Sequence, residues 1–145
     1  MQNDVIVEEL NTLLRGTYMG IRGFEHYIQE LNHPELRQNF QSMQQELKQN
    51  ASKLAERIQN LGGVPADDEG ISGSFHSFMH KVMLPDDTKK IIEDALEGID
   101  QYGIQYSEEL VRGDLDAESK KMVEEVINTN RGHVEKLRQL LPEFI

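Results

Sequence analysis

Four stretches of this chain repeat apolar residues in alternating steps of three and four. Such steps follow the 3.6-residue turn of an α-helix and put one apolar stripe on one face. The first stretch runs from about Asp4 to Leu31, with Val7, Leu10, Leu14, Thr17, Ile21, Phe24, Ile28 and Leu31 on its seam. Asn32-His33-Pro34 ends it, because the residue before proline is pushed out of the helical region. The second runs from about Pro34 to Leu61, with Leu36, Phe40, Met43, Leu47, Asn50, Leu54, Arg57 or Ile58, and Leu61. Gly62-Gly63 and then Pro65 stop it. The third starts at Asp86-Asp87 and reaches about Arg112, with Ile92, Ala95, Ile99, Tyr102, Tyr106 and Leu110. The fourth runs from about Asp116 to Leu141, with Met122, Val126, Thr129, His133, Leu137 and Leu140, and Pro142 ends it.

Each helix is on the order of 40 Å long at ~1.5 Å per residue. Their stripes predict an all-α four-helix bundle formed by one domain, residues 1–145. The links after the first and third helices are tight, and a long connection covers 62–86. Inside it Phe75, Phe78, Met79, Val82 and Met83 predict a short amphipathic helix. That connection is long enough for a crossover along the whole bundle, while a simple up-down-up-down order also fits.

Charge narrows the function. The 145 residues hold 26 acidic and 15 basic side chains, a net charge of −11. A nucleic-acid partner would need a basic stripe, and none is present. An acidic membrane surface would repel the chain, and no apolar run approaches the ~20 residues that span a bilayer. Most of the negative charge lies after residue 62, and we read it as a solvated surface. There is no cysteine, so thiolate metal sites and disulfides are excluded. MQNDVIVEEL has no basic region followed by an apolar run, so a cytoplasmic location is expected.

The two halves of the chain resemble each other weakly. Gly20-Ile21 with Phe24 answers Gly98-Ile99 with Tyr102, and Phe40, Met43, Leu47, Asn50 and Leu54 answer Val123, Val126, Asn130, His133 and Leu137. Across nearly its whole length the chain also resembles a bacterial ferritin-like family of small bundles distantly related to rubrerythrin. The resemblance rests on LNTLLRGTYMGIRGF, HPELRQNF, LAERIQNLGG, SGSFHSFM and LEGIDQYGIQYSEEL. It implies a ferritin-like four-helix bundle that self-associates.

A di-iron bundle takes one glutamate from each of two helices and a Glu-x-x-His pair from each of the other two. The spacing of three puts both side chains of a pair on one face. Here the fourth helix offers Asn130-Arg-Gly-His133, and the second offers Leu47-Lys-Gln-Asn50. The other two helices place Thr17, Gly20 and Ile21, and Leu96 and Ile99, where carboxylates belong. Iron needs several anionic oxygen ligands, so the site reads as degenerate and no cofactor is expected. Glu25 and Glu46 lie beside the seams, from where either could swing inward, but neither stands at the depth the site needs. His133 and Asn50 then read as polar residues of the core, with Asn50, Thr129, Thr17 or Tyr102 as partners for the imidazole. His26 and His33 read as solvated.

Two other features bear on function. His76 and His80 stand four apart in the connection, enough for two ligands to a divalent transition metal but not for a complete site. Leu13, Gly16, Gly20, Gly23 and Tyr27 form a second stripe on the first helix, where small residues let another helix come close. Inside one subunit that stripe would pack on a neighbouring helix; between subunits it would make a dimer, the favoured homo-oligomer. The expected role is therefore self-association or partner binding without catalysis. The alternatives are a metal-binding or ferroxidase-like protein using His133 or the His76/His80 pair, with iron or another divalent metal, and a structural coat or stress protein.

Overall fold

In the computed structural model, residues 2–68, 87–111, 113 and 115–144 are described. Helix α1 is Gln2–Glu30 and α2 is Pro34–Asn60. Helix α3 covers 88–111 and has three parts: α-helical Thr88–Gly98, a π-helical segment Ile99–Gln105, and α-helical Tyr106–Val111. Helix α4 is Ala117–Leu140, and a 3₁₀ turn, Leu141–Phe144, comes after it. Tyr102 and Leu110 are described by their backbone alone. The expected amphipathic helix in the connection, with His76 and His80, lies outside the described residues. Among the described residues no helix is long and apolar enough to cross a membrane.

The chain breakers explain the helix ends. His33 Nδ1 accepts the Leu36 N–H at 3.1 Å, one of the donors a helix start leaves free. Its ring also meets Phe144 edge-on, 5.1 Å between centroids. His33 is therefore a half-buried cap, which corrects its reading as a solvated link residue. Gly62, at φ +86°, closes α2 in the left-handed conformation that glycine adopts without strain.

Cross-helix contacts fix the topology. Tyr27, near the end of α1, hydrogen-bonds Asp94, near the start of α3. Arg57, near the end of α2, meets Asp116 at the entry to α4 at 2.5 Å. His33 and Phe144 join the start of α2 to the end of α4. So α1 and α3 run antiparallel, as do α2 and α4. The chain leaves α2 at one end of the bundle and enters α3 at the other, which is the crossover order and not up-down-up-down.

The halves repeat in register. Phe40, Met43, Asn50, Ala51 and Leu54 of α2 and Val123, Val126, His133, Val134 and Leu137 of α4 are all buried, each pair 83 positions apart. Helices α1 and α3 match less simply. Leu10 and Leu13 answer Ile92 and Ala95 at a spacing of 82, whereas Gly20 and Ile21 answer Gly103 and Ile104 at 83. One extra residue therefore sits in the π segment, whose turn is one residue wider than an α turn. The glycine equivalent to Gly20 is Gly103, and the pairing with Gly98 is corrected. The extra residue also rotates the remainder of α3. Ser107 is buried and Tyr106, expected on the seam, is 46% exposed.

The apolar core forms two clusters. One contains Leu10, Leu14, Leu54, Ile58, Ile104 and Val126, and the other Phe24, Leu36, Phe40, Leu47, Ile92 and Leu137. Their junction falls at Thr17 in α1, Asn50 in α2, the π segment in α3 and Asn130 to His133 in α4. That junction is a polar layer across the middle of the bundle.

Candidate functional site

Each side chain of the layer is set by its place on a helix. Thr17 is buried, and its hydroxyl donates to the Leu13 carbonyl one turn back at 2.9 Å. Thr129 does the same to Glu125 at 3.0 Å. Neither hydroxyl therefore has a proton left to donate to His133. The imidazole is 4% exposed, and its Nε2 lies 2.8 Å from Glu46 Oε2, across from α2. Glu46 thus reaches in from beside the seam, correcting the expected partners of His133. Burial holds the His133 pKa below the usual histidine range, and Glu46 opposes that shift without cancelling it. With the neutral ring donating its Nε2–H to Glu46, Nδ1 carries the lone pair, and this buried atom has no hydrogen-bond partner among the described residues. Phe24 covers the ring edge-on at 6.2 Å.

Asn130 holds the layer to α3. Its Nδ2 donates to the Gly103 carbonyl at 2.9 Å, inside the π segment. A Cβ on residue 103 would come within 2.9 Å of that nitrogen, so glycine permits the approach. Asn50 is buried as well, and its Nδ2 has no partner among the described residues. Gln44 adds a bond from Nε2 to the Ile21 carbonyl and another to Glu25, both 3.0 Å.

The donor set can be tested against the di-iron chemistry that such bundles host. One imidazole and one carboxylate, Glu46, converge, and the remaining positions hold Thr17, Leu47, Asn50, Gly103 and Asn130. Neutral amides, a hydroxyl and an apolar side chain supply no negative charge for two iron ions, so the residues do not fit that centre. Among the described residues no three of His, Asp and Glu are grouped to hold a metal ion.

The glycine stripe of α1 does not make one open face. Leu13 is in the core, and a Cβ on Gly20 would meet Leu47 Cδ1 of α2 at 3.2 Å. Tyr27 turns to Asp94 of α3, and burial, with Asp94 beside it, pushes its hydroxyl pKa well up. Among the described residues, nothing lies within 4 Å of a Cβ added at Gly16 or Gly23. On the other flank of α1, an open groove of ≈ 360 Å³ is lined by Tyr18, Arg22, His26, Lys48 and Asp67, among others. His26 therefore borders a groove. Asn11 pins the chain beyond α2 here, donating to the Val64 carbonyl at 3.0 Å and accepting from Ala66 at 2.8 Å.

The sequence allowed Glu46 an inward swing but did not pair it with His133, and it gave no role to Gly103 or Ser107. Glu46 had a visible signal, one turn before Asn50 on α2. Gly103 had one in the spacing of the two halves.

The family described as domain of unknown function DUF2383 matches residues 5–112. No curated protein matches the chain. A ferritin-like, diiron-carboxylate protein structure from Bacillus anthracis str. Ames superposes with a TM-score of 0.71 at 21% identity, covering 97% of this chain and 98% of that one. The dodecameric thioferritin, a bacterioferritin-related protein, from Bacteroides fragilis superposes with a TM-score of 0.74 at 14% identity, covering 97% and 86%. At these identities the likeness is one of fold, and the fold is the ferritin-like bundle.

Proposed function

We propose for this chain, which belongs to the DUF2383 family, a role carried by its outer surface, through self-association or partner binding, and not by iron chemistry at its centre. The observation that carries this reading is Asn130. It stands where the glutamate of a Glu-x-x-His pair belongs, and its amide is already committed to the Gly103 carbonyl. His133, the other half of that pair, is tied to Glu46. A ferritin-like frame is thus kept while its ligand positions are taken up by bonds within the bundle.

Self-association draws support from the Bacteroides fragilis neighbour, itself a dodecamer. On this chain Gly16 and Gly23 leave the flank of α1 low enough for a second copy to approach. A dimer through that flank is the assembly we favour, with a cytoplasmic setting.

Elemental analysis of protein purified without a tag, before and after His133→Ala, tests the central claim. We expect no stoichiometric iron or other divalent metal bound at the layer. Stoichiometric metal that disappears with His133→Ala would overturn the reading in favour of a metal-binding or ferroxidase-like protein. Sedimentation of Gly23→Leu tests the surface claim. An added Cβ at Gly23 meets nothing within 4 Å among the described residues, so the variant should fold and dissociate. An unchanged assembly would remove the α1 dimer, and a very large one would favour a coat or stress protein.

A further inference from the structure

We infer that the second half of α3 has two registers, and that Asn130 holds it in the one observed. The alternative is a regular helix without the π turn. Removing that turn would rotate the residues after it by about 100°. Tyr106 would then join Ile92, Ala95 and Ile99 on one stripe, the pattern that the sequence itself carries.

The observed register runs against that pattern. It leaves Tyr106 46% exposed and buries Ser107 at 1% exposure. The Ser107 hydroxyl is buried without a partner among the described residues, an unfavourable arrangement for a hydroxyl. Local preference and tertiary structure thus disagree over one turn, which marks an element with two competing states.

Three contacts hold the observed state. Ile104 enters the core at 8% exposure. Asn130 binds the Gly103 carbonyl at 2.9 Å. Arg131 meets Glu108 at 2.5 Å on the surface. Two of the three come from α4, next to His133. Anything that takes the Asn130 amide, or covers the face bearing Arg131 and Glu108, therefore bears on the register of α3. Such a helix shift is a known way for a packed element to switch. The inference stands apart from the metal and assembly readings, since it uses only contacts within one subunit.

Fluorine NMR of protein labelled with 3-fluorotyrosine tests it, with Tyr106 assigned through Tyr106→Phe. The wild type should show Tyr106 chiefly as an exposed resonance. Asn130→Ala and Gly103→Ala both disturb the clamp, and each should raise a second, solvent-protected Tyr106 resonance at least tenfold in population. Deleting Gln101, an exposed residue of the π segment, removes the extra residue and leaves Ser107 facing inward along a regular helix. In that background Asn130→Ala should give no second resonance. A single exposed Tyr106 signal in both clamp variants would overturn the inference. So would a second resonance that survives the deletion, or unfolding of both clamp variants, because the second register would then not be accessible.

Discussion

Helices α1 and α3 occupy equivalent places in the two halves, yet they meet their partners differently. In α1, Gly20 lets the backbone close on Leu47, an apolar contact, and the helix runs unbroken over 29 residues. In α3, Gly103 lets the backbone close on Asn130, a polar contact, and the helix carries one more residue in a π turn. A wider turn disturbs the regular ladder of backbone hydrogen bonds, and a buried carbonyl without a donor is unfavourable. The extra residue is thus tolerated where a side chain of α4 supplies the donor. Leu47 and Asn130, at equivalent positions, differ because the backbones facing them differ.

The largest test of this contrast is truncation of the two equivalent residues. Leu47 is 5% exposed within the apolar cluster. Leu47→Ala should lose about 2–4 kcal/mol in urea denaturation through lost packing and the cavity left behind. Asn130→Leu should lose about 1–3 kcal/mol, although leucine is the more apolar residue, because the Gly103 carbonyl loses its donor. If Asn130→Leu were neutral or stabilising, the polar contact would contribute nothing and the two helices would differ for another reason.

The glycines give a smaller and more pointed test. Replacing a helical glycine by alanine gains ~1 kcal/mol of helix propensity at an unhindered site. A Cβ on Gly20 would meet only the end of the flexible Leu47 side chain at 3.2 Å. Gly20→Ala should therefore stay within about 1 kcal/mol of the wild type by thermal or urea denaturation, gain and crowding nearly cancelling. At Gly103 the Cβ would press on Asn130 Nδ2 at 2.9 Å and on its Cγ at 3.2 Å. Gly103→Ala should therefore be less stable than Gly20→Ala by about 1 kcal/mol. Equal effects at the two glycines would erase the distinction.

The same contrast explains what could be read in the sequence. The seams of α1, α2 and α4 follow a 3.6-residue period, and that period alone places Leu10, Phe24, Phe40, Leu54, Val126 and Leu137 in the core. In α3 the same period points to Tyr106, and the wider turn moves the burden to Ser107. No local rule marks the extra residue. It becomes visible when the two halves are compared, as a spacing that changes from 82 to 83 between Leu13/Ala95 and Gly20/Gly103. The layer was legible as positions lacking carboxylates, but its bonding was not. Glu46 pairs with His133 because α2 and α4 run antiparallel at a particular height, and sequence alone does not give that height.

The last test needs a change of pH and compares Asn50 with His133, the equivalent polar residues of α2 and α4. Only His133 titrates. Burial lowers its pKa in the folded protein, against the weaker pull of Glu46, so the unfolded chain takes up the proton first as pH falls. Stability linked to His133 is therefore complete above the unfolded value, about 6.5, and is lost as pH drops toward the lower folded value. His133→Asn makes the layer alike on both helices and removes this proton. The variant should lose less stability than the wild type between pH 7.5 and 5, read as the change in urea midpoint. The carboxylates common to both proteins set a shared background, so the difference between the two curves isolates the imidazole. Parallel curves would mean that His133 takes up its proton as readily in the folded layer as in the unfolded chain, and that its burial beside Phe24 costs the charged ring nothing.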